Sequence, residues 1–230
     1  YYNQYPVAII SKPDSGIGSL EDLKGKTIGM PGEYGSNWFG LLAALQEAGL
    51  TRDDVNVVSI GYTQAASLAQ GAVDAVVGFV NSDAVQLEEM GEDITVLPLA
   101  DYDVPLVGAT IVSTAKWLDQ HEDLAARAIG AITAGMDRVI ANPQRALEVS
   151  ALWDKSLEAP EAHRTAGALL RATIPLWERP DGRASAEQDL GTWQRMAPFL
   201  AGVLDVPRSD MNPAGAVTNN YADAYSNVEG

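Results

Sequence analysis

The sequence predicts an α/β fold, a mostly parallel sheet followed by a helical C-terminal part, on three observations. Between residues 6 and 113, short apolar runs of strand length alternate with stretches of helical period. Glycine stands where successive helices should end, at Gly49, Gly71 and Gly91. Beyond residue 113 the period is helical almost throughout. Alternating strands and helices make a parallel sheet covered on both faces the natural product. The expected division is an α/β lobe at residues 5–113 and a mainly helical segment at 114–230.

PVAIIS at residues 6–11 reads as a strand, and a turn-rich loop fills 12–18. Ser19 is placed to cap a short helix at 20–24, with Asp22 as a near capping-box partner. KTIGM at 26–30 is a strand, and Pro31, Gly32 and Gly35 then permit a tight turn and close backbone approach. From Ser36 the period becomes helical, with Trp38, Leu41, Leu42, Leu45 and Ala48 on one face. Strands follow at 56–60, 73–79, 94–97 and 106–113, separated first by helices at 63–70 and 81–90. The later helices are expected at 114–120, 121–141, 143–153 and 160–174. Asn142 and Pro143 are a cap and a first helical residue. Ser185 with Gln188 reads as a capping box for the next helix, and 216–225 as a last short one.

Composition limits the function. The 230 residues carry a formal charge of −16, a field that repels nucleic acid and anionic membranes. No run of 18 apolar residues occurs, so no transmembrane helix is expected. Cysteine is absent, which removes disulfides, thiol catalysis and Cys-ligated zinc. His121 and His163 lie on predicted helix surfaces beside Glu122 and Arg164 and read as surface residues. The acidic pairs Asp53 with Asp54, Glu88 with Glu89 and Glu92 with Asp93 adjoin turns and read as solvated faces. Lys26 reads as a solvated strand end. Neither a catalytic group nor a metal or cofactor site is expected.

The binding signals converge. In an α/β sheet the loops after successive strands lie side by side at one edge. Here those loops contribute Tyr34, Gly35, Ser36, Asn37, Trp38, Tyr62, Thr63, Asn81 and Tyr102. Aromatic walls with a few placed hydrogen-bonding groups suit a small-molecule pocket. For Trp38 the competing role is core packing, and for Asn81 it is capping of the following helix. The loops hold Glu33, Asp83 and Asp103 and no Lys or Arg, so a neutral or cationic nitrogen heterocycle fits better than a small anion.

Longer stretches carry a family resemblance. SLEDLKGKTIGMPGEYGSNWFGLLAALQEAGL resembles a run of the form L-x-D-L-K-G-K-x-I-G followed by a glycine-rich loop and helix. ASLAQGAVDAVVGFVNSDAVQLEEMG resembles A-L-x-x-G-x-V-D-A followed by a strand and a polar loop, and ADYDVPLVGATIVST and IANPQRALE also match. The set, spanning about residues 5 to 155, resembles the thiamine-pyrimidine-precursor-binding (NMT1/THI5-like) solute-binding proteins of ABC importers. The resemblance implies a type II periplasmic-binding-protein-like lobe that captures a small heterocycle by lobe closure. It also implies a membrane permease as partner, a monomer, and an extracytoplasmic location, periplasmic or as a cell-surface lipoprotein. In such proteins an N-terminal half-lobe precedes the segment like PVAIIS, and here the expectation is that it is missing. The alternatives within the resemblance are a pyrimidine-biosynthetic enzyme, whose cysteine-rich motif this chain lacks, and a riboflavin- or sulfonate-type binding protein.

Overall fold

A computed structural model describes residues 2–207, 209 and 212–222. The chain divides into two compact units, one of Tyr5–Pro105 and one of Tyr1–Gln4 with Leu106–Gly230.

The unit Tyr5–Pro105 is built on a five-stranded sheet. Its strands are β1 (Val7–Ser11), β2 (Thr27–Met30), β3 (Asn56–Ser59), β4 (Ala75–Phe79) and β5 (Thr95–Pro98), in the order β3-β2-β4-β1-β5. β2 pairs parallel with both β3 and β4, whereas β1 runs antiparallel between β4 and β5. Four of the five strands therefore share one direction, and the first strand, next to the β5 edge, reverses it.

Helix α1 (Gly35–Glu47) lies on one face of the sheet, where a Cβ at Gly40 would meet Val7 at 2.9 Å and Leu99 at 3.3 Å. Helices α2 (Gln64–Ala69) and α3 (Asp83–Glu89) cover the other face, where Ala65, Leu68, Ala84 and Leu87 pack with Ala8, Ile10 and Val76. Alternate residues of β1 serve the two faces, so all five are buried and the strand reads as one continuous apolar run. All three helices end in a Schellman turn. At α1 the Gly49 N–H donates to Gln46 O and the Leu50 N–H to Leu45 O, with Gly49 at φ +67°.

The unit that holds Leu106–Gly230 is helical. Its helices are α4 (Ala115–Gln120), α5 (Glu122–Ala141), α6 (Pro143–Trp153), α7 (Pro160–Trp177), α8 (Leu190–Val203) and α9 (Pro213–Ala216). Asn142 caps α6 as its sequence suggests, its side-chain oxygen accepting from the Arg145 N–H at 2.9 Å. A short reversal between α7 and α8 is pinned to α5 by Asp137, which accepts the Ala184 N–H at 2.7 Å.

Several expectations are corrected. Residues 106–113 form no strand ladder, because no strand lies alongside among the described residues; Ala109 O accepts a bond from Tyr2 N–H. No Ser185–Gln188 capping box forms. Asp189 caps α8 instead, Ser185 Oγ accepts from Glu187 N–H, and Gln188 is tied to Asn219 by two bonds of 2.8 and 3.0 Å. Ser19 caps nothing; Asp22 instead accepts the N–H groups of Gly18 and Ser19. The last helix occupies only Pro213–Ala216, and residues 223–225 of the expected span lie outside the described residues. The face α1 buries is Asn37, Gly40, Leu41, Ala44 and Leu45, with Trp38 half-buried on its flank. Small residues let the helix axis approach the sheet, so bulk is displaced to the side.

Candidate functional site

β2 and β4 are neighbours, yet the helices that follow them cover opposite faces of the sheet. The chain parts there and leaves a crevice at the carboxyl ends of the two strands. In open α/β sheets such a switch point is where ligands bind.

Asn37 stands at this point. The β2–β4 ladder ends at Gly29 opposite Val76, so the Val77 carbonyl has no β2 partner on that side. The Asn37 side chain, buried in the first turns of α1, takes the vacant place and donates to Val77 O at 2.7 Å. Beside it the Tyr5 hydroxyl, from the start of β1, donates to Ser36 O at 2.8 Å. Burial pushes the Tyr5 phenol far above its ordinary range.

The loop that leads into α1 is folded over a bare backbone. The Tyr34 N–H donates to Gly32 O at 2.8 Å, and the Tyr34 ring lies so close to Gly32 that a Cβ there would fall 2.3 Å from it. Gly35 then takes φ +69° to start the helix. Tyr34 and Tyr62 are exposed, at 57% and 81%, and come from the loops after β2 and β3. The nearby Tyr62 phenol, by hydrogen bonding first and by the charge it would carry second, holds the Tyr34 phenol above its ordinary value.

The turn after β4 forms the other wall. A Cβ at Gly78 would fall 2.8 Å from the Asp83 side chain, so the carboxylate folds across the glycine. Asp83 Oδ2 accepts the Phe79 N–H at 2.8 Å. Burial pushes the Asp83 carboxyl above its usual range, against the opposing hydrogen bonds from Phe79 and Ser82. Asn81 is half-buried in the same turn, but Ser82 holds the cap position of α3.

The remaining expected residues are not all gathered here. Thr63 caps α2 by position, and its hydroxyl donates to Ile60 O at 2.7 Å within its own turn. Trp38 is half-buried. Tyr102 follows β5, and its phenol is pushed up by burial and then by Glu21 and Asp101. Glu33 is not an open acid, since it pairs with Arg52 at 3.2 Å. The close backbone approach at Gly32 was expected, whereas Tyr5 and Gly78 escaped the sequence reading. The available signals were an aromatic shortly before a buried strand and a glycine shortly before a loop.

His121 is exposed and stacks on Trp117 with ring centroids 4.7 Å apart, and His163 is half-buried with Gln144 at 3.4 Å. Lys26 Nζ donates to Ser15 O at 2.7 Å.

Residues 1–146 match the family model described as NMT1/THI5 like. The riboflavin-binding protein RibY of Chloroflexus aurantiacus is 31% identical over 239 residues, which cover 98% of this chain and 64% of the relative. The formylaminopyrimidine-binding protein of Halalkalibacterium halodurans is 27% identical over 184 residues, 79% of this chain and 55% of the relative. The chain thus spans less than two-thirds of either relative's length. The periplasmic aliphatic sulphonate binding protein SsuA of Escherichia coli has a similar fold, with TM-score 0.70 at 14% identity over 93% of this chain and 65% of that one. On the matched family model and the identity to RibY, the chain belongs to the NMT1/THI5-like family.

Proposed function

We propose that the chain is part of an extracytoplasmic solute-binding protein that captures a flat nitrogen heterocycle for an ABC importer. The observation that supports this reading is the switch point between β2 and β4, at whose carboxyl ends lie the start of α1, with Asn37 bonded to Val77 O, and the Phe79 to Asp83 turn. The names of the two relatives, one for riboflavin and one for formylaminopyrimidine, support the class of ligand. Residues 5–113 act as the ligand-binding lobe, and 114–230 as a helical segment that packs on another lobe. Tyr34, Gly35, Ser36, Asn37, Trp38, Tyr62, Thr63, Asn81 and Tyr102 supply the lining, with an aromatic stack on Trp38, Tyr34 or Tyr62. The ligand acts by favouring a closed form through its higher affinity for that form. The protein works as a monomer, hands its ligand to a membrane permease and turns nothing over.

Calorimetric titration with riboflavin, formylaminopyrimidine and an aliphatic sulfonate tests the reading. Saturable binding of a heterocycle, with no heat from the sulfonate, is the expected result. Binding of the sulfonate alone, or chemical conversion of a heterocycle, would contradict it.

A further inference from the structure

The two units are joined by two links, Gln4–Tyr5 and Pro105–Leu106. Both links are stiff on the side of the α/β unit. Tyr5 stands before Pro6 and Val104 before Pro105, and a following proline confines a residue to extended backbone. The φ of each proline is itself fixed. The Pro6 carbonyl accepts the Val80 N–H at 2.9 Å, which sews the start of β1 into the sheet. Tyr5 is 8% exposed, and its hydroxyl donates to Ser36 O at 2.8 Å. On the second link the Val104 N–H donates to Tyr102 O at 2.8 Å, and Val104 is buried. The first link is anchored again only two residues earlier. The Asn3 N–H donates to Leu176 O at 2.7 Å and its side-chain amide donates to Trp177 O, both at the end of α7. Gln4, between the two anchors, is exposed and makes no backbone bond among the described residues. Val107 and Gly108 likewise make none. Gly108 lies against the first link, since a Cβ there would fall 2.7 Å from the Tyr2 Cβ and 3.0 Å from Gln4 O.

We propose that the joint between the two units is Gln4 together with Val107 and Gly108, and that Tyr5 is the positioning residue that confines bending to it. Hinges are a few loop or element-terminal residues that take up a change of φ and ψ between rigid parts. With Tyr5 and Pro6 fixed to the sheet and Asn3 fixed to α7, the dihedrals of Gln4 are what the first link has left to turn. Pro105 stiffens the start of the second link and leaves Val107 and Gly108 to turn there. A side chain at Gly108 would wedge the two links apart, so glycine lets them bend side by side. Ser36, which holds the Tyr5 hydroxyl, lies in the first turn of α1 at the switch point. One bond therefore ties the joint to the edge proposed for the ligand. Such a joint serves the closure invoked in the solute-binding reading, but its place does not depend on which ligand binds.

The chain has no cysteine, so spin labels at Glu88→Cys in α3 and Glu161→Cys in α7, both exposed, report the distance between the units. Double electron–electron resonance is recorded without ligand on the labelled chain and on its Tyr5→Phe, Pro105→Ala and Gly108→Ala forms. Tyr5→Phe keeps the ring and removes the hydroxyl bond. The expected result is a broader distance distribution in Tyr5→Phe and in Pro105→Ala, because bending then spreads beyond the joint, and a displaced one in Gly108→Ala. Thr51→Ala removes a capping box elsewhere in the α/β unit and should lower the melting temperature while leaving the distribution unchanged. Distributions in Tyr5→Phe and Pro105→Ala as narrow as the parent's would overturn the proposal. So would a Gly108→Ala distribution that coincides with the parent's, or broadening by Thr51→Ala equal to that by Tyr5→Phe. All distributions are read without ligand, so that failure leaves the solute-binding reading standing, and failure of that reading in titration leaves the joint standing.

Discussion

The side-chain amide of Asn37 occupies the place that a longer β2 would fill, donating to the Val77 carbonyl at 2.7 Å where the β2–β4 ladder has stopped. One bond joins the start of α1 to the central strand at the point where the chain parts.

Replacing Asn37 with Ala leaves a buried carbonyl unpaired. The expected loss of stability is about 1–3 kcal/mol, read as a lower urea midpoint with an unchanged slope. An unchanged midpoint would mean that water satisfies Val77 and that the amide is dispensable to the fold.

Tyr62 acts on the phenol of Tyr34. Tyr34 stands above its ordinary value because of Tyr62, so Tyr62→Phe should bring the Tyr34 titration down toward that value. Ultraviolet difference spectra across the alkaline range, with Tyr34→Phe as the assigning control, follow this. Folding stability near neutral pH should barely change, since both rings are largely exposed. A Tyr34 titration unmoved by the Tyr62 change would dissolve the pair.

Asp83 makes folding depend on pH. Its carboxyl is raised in the folded state, so between its unfolded and folded values the native form binds more protons. Its contribution is present in full in acid and is lost as pH rises through the raised value. Asp83→Asn should therefore melt no lower than the wild type at neutral pH, and its relative advantage should shrink in acid. A variant that melts well below the wild type at neutral pH would show that the charged bond to Phe79 outweighs burial.

Gly40 and Gly135 are both helical, but an added methyl meets different surroundings. At Gly40 it would press on buried Val7 at 2.9 Å, on Leu99 at 3.3 Å and on the Tyr5 hydroxyl at 3.4 Å. At Gly135 nothing lies within 4 Å. Gly40→Ala should cost about 1–3 kcal/mol by overpacking, less a helix-propensity gain of about 1 kcal/mol. Gly135→Ala should show that gain alone. Equal shifts of the two unfolding midpoints would contradict the close approach of α1 to the sheet.

Much of the fold was legible because it depends on local chemistry. The terminating glycines, the Asn142 cap and the continuous apolar strands each state their own structure. What was not legible depends on distant partners. Residues 106–113 have the composition of a strand, yet a strand exists only where another lies beside it. Leu41 and Leu45 of the expected α1 face are buried, but the face is turned toward the small residues Gly40 and Ala44, and Trp38, Leu42 and Ala48 are left half-buried. At the site, loop position brought Tyr34, Asn37, Tyr62 and Asn81 to one edge of the sheet. That Asn37 binds Val77, that burial raises the Tyr102 phenol and that the Asp83 carboxylate folds over Gly78 are consequences of packing that no local pattern encodes.

The central claim is that ligand enters between β2 and β4, and chemical-shift mapping of the nitrogen-labelled chain against riboflavin and formylaminopyrimidine tests it most directly. The helical unit carries a competing apolar groove of about 650 Å³ lined by Ile111, Trp117, Ile129 and Trp193. Saturable shifts are expected at Gly35, Ser36 and Asn37, at Phe79 through Asp83, and at Tyr62 and Thr63. Shifts confined to Trp117, Ile129 and Trp193, with the crevice silent, would contradict it.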